Sequence, residues 1–140
     1  MKCYILDACA IIAYLKNEQG SGVIHQFFID ATNKKCELFF HASNLFEVYY
    51  QSIRDDGQKT AGELWDDIHL FPINILYTFD ENLIKIASKI KAENKLSVID
   101  SFLLAQAEIL NAAVITSDHH EFDILETKRL FNFEWYRWFN

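Results

Sequence analysis

The stretch YILDACAIIAYL, residues 4–15, joins two apolar segments through one acid, Asp7. The segment Cys3–Leu6 predicts a short strand and Ala8–Lys16 a helix, so Asp7 lies at a strand-to-helix junction. A carboxylate between two apolar segments is costly to bury unless something pairs with it. Asp7 is therefore the first candidate for a functional residue.

The alternation of strands and helices continues along the chain. Glycine and proline are scarce, at 4 and 1 of 140 residues, and no repeat or linker interrupts the pattern. Strands separated by helices indicate a mostly parallel sheet covered on both faces. We therefore expect one α/β domain over residues 1–140, with a central, mostly parallel five-stranded sheet flanked by helices on both faces. Further helices are predicted at Val23–Lys34, Ser43 to about Arg54 and Val98–Leu110, and further strands at Glu37–His41, Ile73–Tyr77, Ala113–Ser117 and Phe131–Phe139.

Helix starts are indicated by a hydroxyl side chain followed three residues later by an acid. Such pairs can satisfy the backbone donors of the first turn reciprocally. Asn111 is the predicted stop of the helix that begins near Val98. The predicted starts are Thr60/Glu63, Thr78/Glu81 and Ser97/Asp100, with Ser43 as a further helix cap.

Four acids stand at the ends of apolar segments or on the predicted helices beside them: Asp7, Glu47, Asp100 and Asp118. In open α/β sheets, ligands bind outside the carboxyl ends of the strands, where strand order reverses. Asp7 and Asp118 each follow a predicted strand, and they face each other if those strands are neighbours. Glu47 and Asp100 can join them on their helices. Carboxylates that cannot all remain ionised alone call for a hard divalent cation with oxygen ligands.

Two of these acids also have ordinary structural interpretations. Asp100 can be the acid of a helix N-terminus, favoured by free backbone amides and the helix dipole. Glu47 can belong to a solvated stripe that also contains Asn44, Gln51 and Arg54. The combination of four acids indicates function more strongly than any one of them.

The histidines carry little functional signal. His119-His120 follow Asp118 directly, but adjacent histidines lack the spacing of a helical zinc pair and are better interpreted as surface-loop residues. Glu121 and Asp123 are candidates to tune the site. The isolated histidines, which receive no role, are His25, His41 and His69.

Composition and charge exclude several classes of protein. With 51% hydrophobic residues the chain can fill a core, and its net charge of −7 argues against a passive nucleic-acid binder. No apolar run approaches the roughly 18 residues of a membrane span. The N-terminus also lacks a signal-peptide pattern, so we expect a cytoplasmic protein without a membrane partner.

The three cysteines are interpreted as reduced packing residues, because no two of them have the CxxC spacing. They are Cys3, Cys9 and Cys36.

Four motifs carry a resemblance to a known family: YILDACA (residues 4–10), SNLFEV (43–48), LSVIDSFLLA (96–105) and VITSDHHEF (114–122). In order and spacing they resemble the PIN-domain ribonucleases, particularly the VapC-like toxins of bacterial toxin-antitoxin pairs, over nearly the whole chain. The resemblance implies that Asp7, Glu47, Asp100 and Asp118 are catalytic and hold Mg²⁺ or Mn²⁺. It also implies an endoribonuclease that hydrolyses RNA phosphodiester bonds, and an antitoxin that binds the groove and places a basic residue in the acidic site.

One residue departs from the family pattern. Many members have Ser or Thr two residues after the first aspartate, where this chain has Cys9. A thiol is a weaker hydrogen-bonding group than a hydroxyl, so we expect altered metal affinity rather than an inactive site. Thr116, at the end of the predicted strand before Asp118, could supply a hydroxyl nearby.

Bound cations would reverse the local charge and let an acidic protein accept RNA. The basic residues proposed to hold flanking phosphates are Lys85, Lys89, Lys91, Lys95, Lys128 and Arg129.

Some aromatic residues leave room for a homodimer surface, although most are expected in the core. The candidates are Tyr49, Tyr50, Phe131, Phe133 and Trp135.

Three alternatives remain open at this point. A non-catalytic PIN-like interaction module would keep the sheet without binding metal, and a PIN nuclease could process RNA outside a toxin-antitoxin system. A receiver-type signalling domain would use a strand-end aspartate as phosphate acceptor. The last fits poorly, because it needs an adjacent acidic pair and Ala8 follows Asp7.

Overall fold

A computed structural model describes residues 1–117, Phe122 and residues 133–135. They form an all-parallel sheet of order β3-β2-β1-β4-β5. The predicted number of five strands is confirmed, and the flanks of the predicted fifth strand lie outside the described residues. The strands are β1 (Lys2–Leu6), β2 (Cys36–His41), β3 (Asn74–Leu76), β4 (Ala113–Thr116) and β5 (Phe133–Trp135). The helices within residues 1–117 are α1 (Ala8–Leu15), α2 (Ser21–Thr32), α3 (Ala42–Asp56), α4 (Gln58–Leu70), α5 (Glu81–Glu93) and α6 (Val98–Leu110).

Successive side chains of β1 enter two different hydrophobic cores. Tyr4 and Leu6 pack in a core with residues of α1 to α4, whereas Ile5 packs in a second core with α5 and α6. This alternation follows from the two-residue period of a strand, and it places helices on both faces of the sheet. Ile5 and Leu6 are fully buried, which contributes about 1.5–3 kcal/mol for each side chain. No helix of the described residues is long and apolar enough to span a membrane.

The order of the strands reverses between β1 and β4. The chain runs from β1 to β2 and β3 on one side, and β4 and β5 lie on the other. Leu6 is in register with Ile115, and the Asp7 backbone N–H donates to the Ile115 carbonyl at 3.0 Å. Asp7 therefore lies at the carboxyl end of β1, at the switch point of the sheet. The first and fourth strands are therefore neighbours, which the sequence had left as a condition.

The predicted boundaries of α6 are also confirmed. Ser97 Oγ accepts the Asp100 backbone N–H at 3.1 Å, so Ser97 is the N-cap. Asn111 ends the helix in the left-handed region, with φ 52° and ψ 46°. Asparagine tolerates this conformation better than most residues because its short polar side chain can bond locally.

The prediction that Ser43 caps α3 is wrong. The helix begins at Ala42, directly after β2, so the last extended residue is His41 (φ −82°, ψ 148°). Its ring Nδ1 accepts the Ser43 backbone N–H at 3.2 Å and lies 2.8 Å from the Ser43 hydroxyl. The strand therefore runs into the helix with no room for a separate cap residue.

Two further predicted starts are wrong, by three residues for α4 and by two for α5. The N-cap of α4 is Gly57 rather than Thr60, because Gly57, with φ 91°, reverses the chain after α3. Helix α5 is capped by Asp80 rather than Thr78, and the Asp80 carboxylate accepts the Leu83 N–H at 2.9 Å.

Candidate active site

Asp7 is buried, with 6% of its surface exposed, at the N-terminus of α1. Its Oδ1 accepts the Ala8 backbone N–H at 2.7 Å and thereby caps the helix. Its Oδ2 accepts the Thr116 hydroxyl at 2.8 Å and the Cys9 thiol at 3.4 Å. Donors from α1 and β4 therefore hold both oxygens, which stabilises the negative charge and fixes the orientation of the carboxylate.

Three of the four predicted acids line one open cleft of about 530 Å³, called the acidic cleft below. Asp7 precedes α1, Asp100 lies in the first turn of α6, and Glu47 lies in the second turn of α3. The N-terminal ends of α1 and α6 favour negative charge through their backbone amides and helix dipoles. The remaining lining residues are Cys9, Tyr50, Gln51, Ser97, Val98 and Ile99.

The structural interpretations of Glu47 and Asp100 are only partly correct. Asp100 does belong to a helix start, but its backbone N–H makes the bond to Ser97 while the residue also lines the acidic cleft. The stripe that contains Glu47 is solvated only towards its Arg54 end, since Asn44 is fully buried and Glu47 is half-buried. Both acids therefore lie at the cleft that Asp7 occupies.

Comparison with known families gives one decisive match. The model of the PIN domain matches residues 4–127, which is most of the chain. The chain belongs to the PIN domain family. The resemblance of the four sequence motifs to the PIN domain is thereby confirmed.

Solved structures with the same fold include two VapBC structures and a toxin-antitoxin complex, and among curated proteins none matches the chain. VapBC2 from Rickettsia felis, bound to a DNA fragment from its promoter, is 16% identical with a TM-score of 0.74, covering 95% of this chain and 98% of the other. DNA-bound VapBC from Salmonella typhimurium is 14% identical with a TM-score of 0.75, covering 98% and 100%. A toxin-antitoxin complex from Klebsiella pneumoniae is 13% identical with a TM-score of 0.64, covering 85% and 89%. At these identities the likeness establishes the fold of this PIN domain alone.

Cys9 occupies the position at which the PIN sequence pattern led us to expect a hydroxyl. Its Sγ lies 3.6 Å from Thr116 Oγ1, and the Ser117 hydroxyl donates to the sulfur at 3.9 Å. The expected nearby hydroxyl is therefore present on Thr116, which donates the shorter bond to Asp7. The thiol completes this small network around the first acid.

Asn44 does not line the acidic cleft, although it lies one helical turn before Glu47 on α3. It is fully buried rather than part of a solvated stripe, and no side chain or backbone group among the described residues bonds to its Nδ2 or Oδ1. Its spacing of three residues from Glu47 indicates only that the two share a face of the helix.

His41 has a structural role that sequence reasoning missed. Besides capping α3, its Nε2 lies 3.0 Å from the Thr78 carbonyl, and its ring contacts those of Phe79 and Phe102. Burial lowers the pKa of His41 below its usual 6.5, with the bond to the Thr78 carbonyl opposing the shift. The ring is therefore neutral near pH 7, and it ties β2, α3 and α6 together.

The fourth predicted ligand, Asp118, lies outside the described residues, as do His119, His120, Glu121 and Asp123. Within residues 1–117, 122 and 133–135, no group of three or more His, Cys, Asp and Glu side chains is arranged to hold a metal ion. Asp118 follows β4 by two positions, and β4 is the neighbour of β1.

Two of the lysines proposed to hold phosphates make contacts elsewhere. Lys85 forms an ion pair with Glu81 one turn earlier on α5, at 2.7 Å. Lys91 donates to the Leu96 carbonyl at 2.7 Å and so joins the end of α5 to the start of α6. Lys128 and Arg129 lie outside the described residues.

Proposed function

We propose that this PIN domain is a divalent-metal-dependent endoribonuclease and the toxin of a toxin-antitoxin pair. The observation that carries the proposal is the convergence of Asp7, Glu47 and Asp100 on one cleft at the switch point of the sheet. The proposed fourth ligand is Asp118, which would complete a set of carboxylates. Oxygen donors of this kind suit Mg²⁺ or Mn²⁺.

The described side chains at the acidic cleft offer the oxygen ligands that such an ion prefers. Asp7 is already oriented by its bonds to Ala8 N–H and Thr116 Oγ1, so it would offer a fixed oxygen. When bound, the ion would neutralise the scissile phosphate, activate water and stabilise the departing oxygen.

The protein's own residues would position the phosphate of the substrate in the acidic cleft. The start of α6 (Ser97, Val98 and Ile99) forms one wall of the acidic cleft, and a helix N-terminus favours a phosphate group there. Hydrolysis adds the oxygen of water to phosphorus and breaks one phosphorus–oxygen bond of the RNA backbone. Glu47 and Asp100 are half-buried, so they remain accessible to solvent and to a substrate that enters the cleft.

The proposal is tested by incubating the purified protein with total RNA and Mg²⁺ or Mn²⁺. We expect discrete cuts by the parent and at least about a hundredfold slower cutting by Asp7→Asn and Asp100→Asn, since each removes a charged ligand. Glu108→Gln is a matched control, because Glu108 is exposed near the other end of α6. Cuts that persist in both aspartate variants would disprove the site assignment.

Calorimetric titration with Mn²⁺ separates the enzyme from a non-catalytic PIN-like module. We expect saturable binding by the parent and by Glu108→Gln, and loss of that binding in Asp7→Asn and Glu47→Gln. Binding that is absent from the parent would favour the non-catalytic module. Cutting of a few precursor RNAs without harm to growing cells would favour an RNA-processing role.

The antitoxin partner is proposed from the complexes that share the fold and from a second groove on this chain. This apolar groove, of about 250 Å³, lies between α1, α3 and α4. Its apolar members include Ile12, Leu15, Val48 and Leu64, and its acidic members are Asp55, Asp56, Glu63 and Asp67. A segment with apolar side chains flanked by Lys or Arg would match it. Gln51 lines both this groove and the acidic cleft, so such a segment could continue to the acids.

Charge reversal tests this placement of the partner. Glu63→Lys with Asp67→Lys places two cations at the groove, and we expect at least tenfold weaker binding of the co-expressed antitoxin while RNA cutting is retained. Glu93→Lys, on α5 at the opposite face of the sheet, is the control. Unchanged affinity in the double variant would place the partner elsewhere.

A further inference from the structure

The ring of His41 belongs to a cluster of three rings beside the start of α3. Its centroid lies 4.8 Å from that of Phe79 and 6.3 Å from that of Phe102, and the two phenylalanine centroids lie 5.2 Å apart. His41 is fully buried, whereas Phe102 is half-buried and Phe79 is 48% exposed. These three residues, called the ring cluster below, join the end of β2 to α6 and to the segment that precedes α5.

Both ring nitrogens of His41 have partners. Nδ1 accepts the Ser43 backbone N–H at 3.2 Å, which places the ring proton on Nε2. Nε2 then donates to the Thr78 carbonyl at 3.0 Å. A turn of the ring would break both bonds, so they fix the plane of the ring against Phe102.

The capping of α3 does not by itself call for an imidazole. Serine, threonine, asparagine or aspartate would accept the same N–H, and these residues are the usual ones at helix starts. A side chain of that length would not also reach the Thr78 carbonyl or pack against the Phe102 ring. The imidazole therefore adds a connection from the start of α3 to two neighbouring segments.

The two helices that the ring cluster connects carry two of the acids. Glu47 follows His41 by six residues, which is roughly 9 Å along the axis of α3. Asp100 precedes Phe102 by two residues on α6, and both acids line the acidic cleft. Because the acids lie on different helices, the distance between them depends on how α3 packs against α6. The ring cluster acts on that packing from both sides.

We propose that His41 is a positioning residue, which sets the separation of Glu47 and Asp100 through the ring cluster. Its side chain does not line the acidic cleft, so it acts through α3 and α6 without touching a bound ion. Carboxylates can share one ion only over a narrow range of separations. The effect on metal binding rests on the proposed function, whereas the effect on the placement of the two acids does not.

Two substitutions divide the bonds of His41 between them. His41→Asn keeps an acceptor where Nδ1 lies and loses the Thr78 bond and the ring, whereas His41→Gln keeps a donor where Nε2 lies. Calorimetric titration with Mn²⁺ compares their affinities. We expect about tenfold weaker binding by His41→Asn, and binding within about threefold of the parent by His41→Gln, because the second variant retains the link to Thr78.

A variant at the other end of α6 is the matched control. Asn111→Ala destabilises the helix end, where the backbone has φ 52°, and it should bind Mn²⁺ like the parent. A residue that only stabilises the fold would weaken binding in that variant as well. Phe79→Leu is a milder change within the ring cluster, because Phe79 is partly exposed, and it decides the question if His41→Asn does not fold. We expect it to weaken Mn²⁺ binding by about threefold.

The placement of the acids is measured without metal. Crystal structures of the metal-free parent, His41→Asn and Asn111→Ala compare the distance between the Cα atoms of Glu47 and Asp100. We expect this distance to change by more than about 0.5 Å in His41→Asn, which is the tolerance of a well-built site. It should be unchanged in Asn111→Ala.

The outcomes distinguish this inference from the proposed function. An unchanged Cα distance together with unchanged Mn²⁺ affinity in His41→Asn would overturn the inference. Equal losses of affinity in His41→Asn and His41→Gln would also overturn it, because the link to Thr78 would then have no effect. A changed Cα distance in a protein that binds no Mn²⁺ would support the inference while the proposed metal-dependent function fails.

Discussion

The bond between Thr116 and Asp7 offers the sharpest test of how the site is built. The Thr116 hydroxyl donates to Asp7 Oδ2 at 2.8 Å, and both residues are buried. Thr116→Val keeps the branched shape and removes the donor. A buried hydrogen bond to a charged group contributes about 1.5–3 kcal/mol, so we expect a loss of that size in the free energy of unfolding. For a chain of 140 residues the midpoint of thermal unfolding would fall by roughly 5–10 °C.

A double-mutant cycle separates this bond from simple packing. In an Asp7→Asn background the acceptor is neutral, and a neutral bond contributes only about 0.5–1.5 kcal/mol. Thr116→Val should therefore cost less there, with a coupling energy of about 1 kcal/mol or more. Thr116→Ser keeps the donor and should lose no more than about 1 kcal/mol for its methyl group.

The assay is urea unfolding of all variants at pH 7 without divalent ions, followed by Mn²⁺ titration. If Thr116 orients a ligand, Thr116→Val should also weaken Mn²⁺ binding by about tenfold to a hundredfold, as loss of a partner behind a metal ligand usually does. A coupling energy below about 0.5 kcal/mol would refute the reasoning. So would equal destabilisation by Thr116→Ser and Thr116→Val.

Three further predictions concern single residues. The pKa of His41 is lowered in the folded state, so its stabilising contribution is complete above pH 6.5. That contribution is lost as the pH falls from 6.5 through the folded pKa, by at most about 1.4 kcal/mol per pH unit. Urea unfolding at pH 7.5 and 5.5 should therefore show a larger loss of stability in the parent than in His41→Asn. Asn111→Ala should lower the free energy of unfolding by about 1 kcal/mol, because its φ is positive, while Asn111→Gly should lower it less. Cys9→Ser should retain Mn²⁺ affinity within about tenfold, and Cys9→Ala should weaken it more, since only serine keeps a donor for Asp7; equal affinities in the two variants would contradict this role of the thiol.

The sheet was largely predictable because its signals are local. The apolar run before Asp7 and the run Ala113–Thr116 are strands that lie buried between two helix layers, so they are apolar on both faces. No local sequence signal indicates which strands are neighbours in the sheet. The pairing of Leu6 with Ile115 joins residues more than a hundred positions apart, and only the completed fold makes them neighbours.

Helix starts were predicted less well, because several nearby side chains can cap a helix and the backbone geometry decides which of them does. Ser43 and Thr78 have the right hydroxyl, but His41 and Asp80 have the extended backbone at the point where each helix begins. Asn44 was assigned to the wrong environment for a related reason. A polar stripe on a helix indicates which residues share a face, and tertiary packing decides whether that face meets solvent.

Asp7 and Asp100 differ in what their replacement can reveal. Asp7 caps α1 and accepts the Thr116 hydroxyl, so Asp7→Asn changes stability as well as charge at the cleft. Asp100 takes part in its helix start through its backbone N–H, which an asparagine at that position would keep. A loss of RNA cutting in Asp100→Asn at unchanged stability would therefore report on chemistry in the acidic cleft, whereas the same loss in Asp7→Asn must first be corrected for unfolding. For this fold the switch-point aspartate is both the best structural marker of the site and the least selective probe of its function.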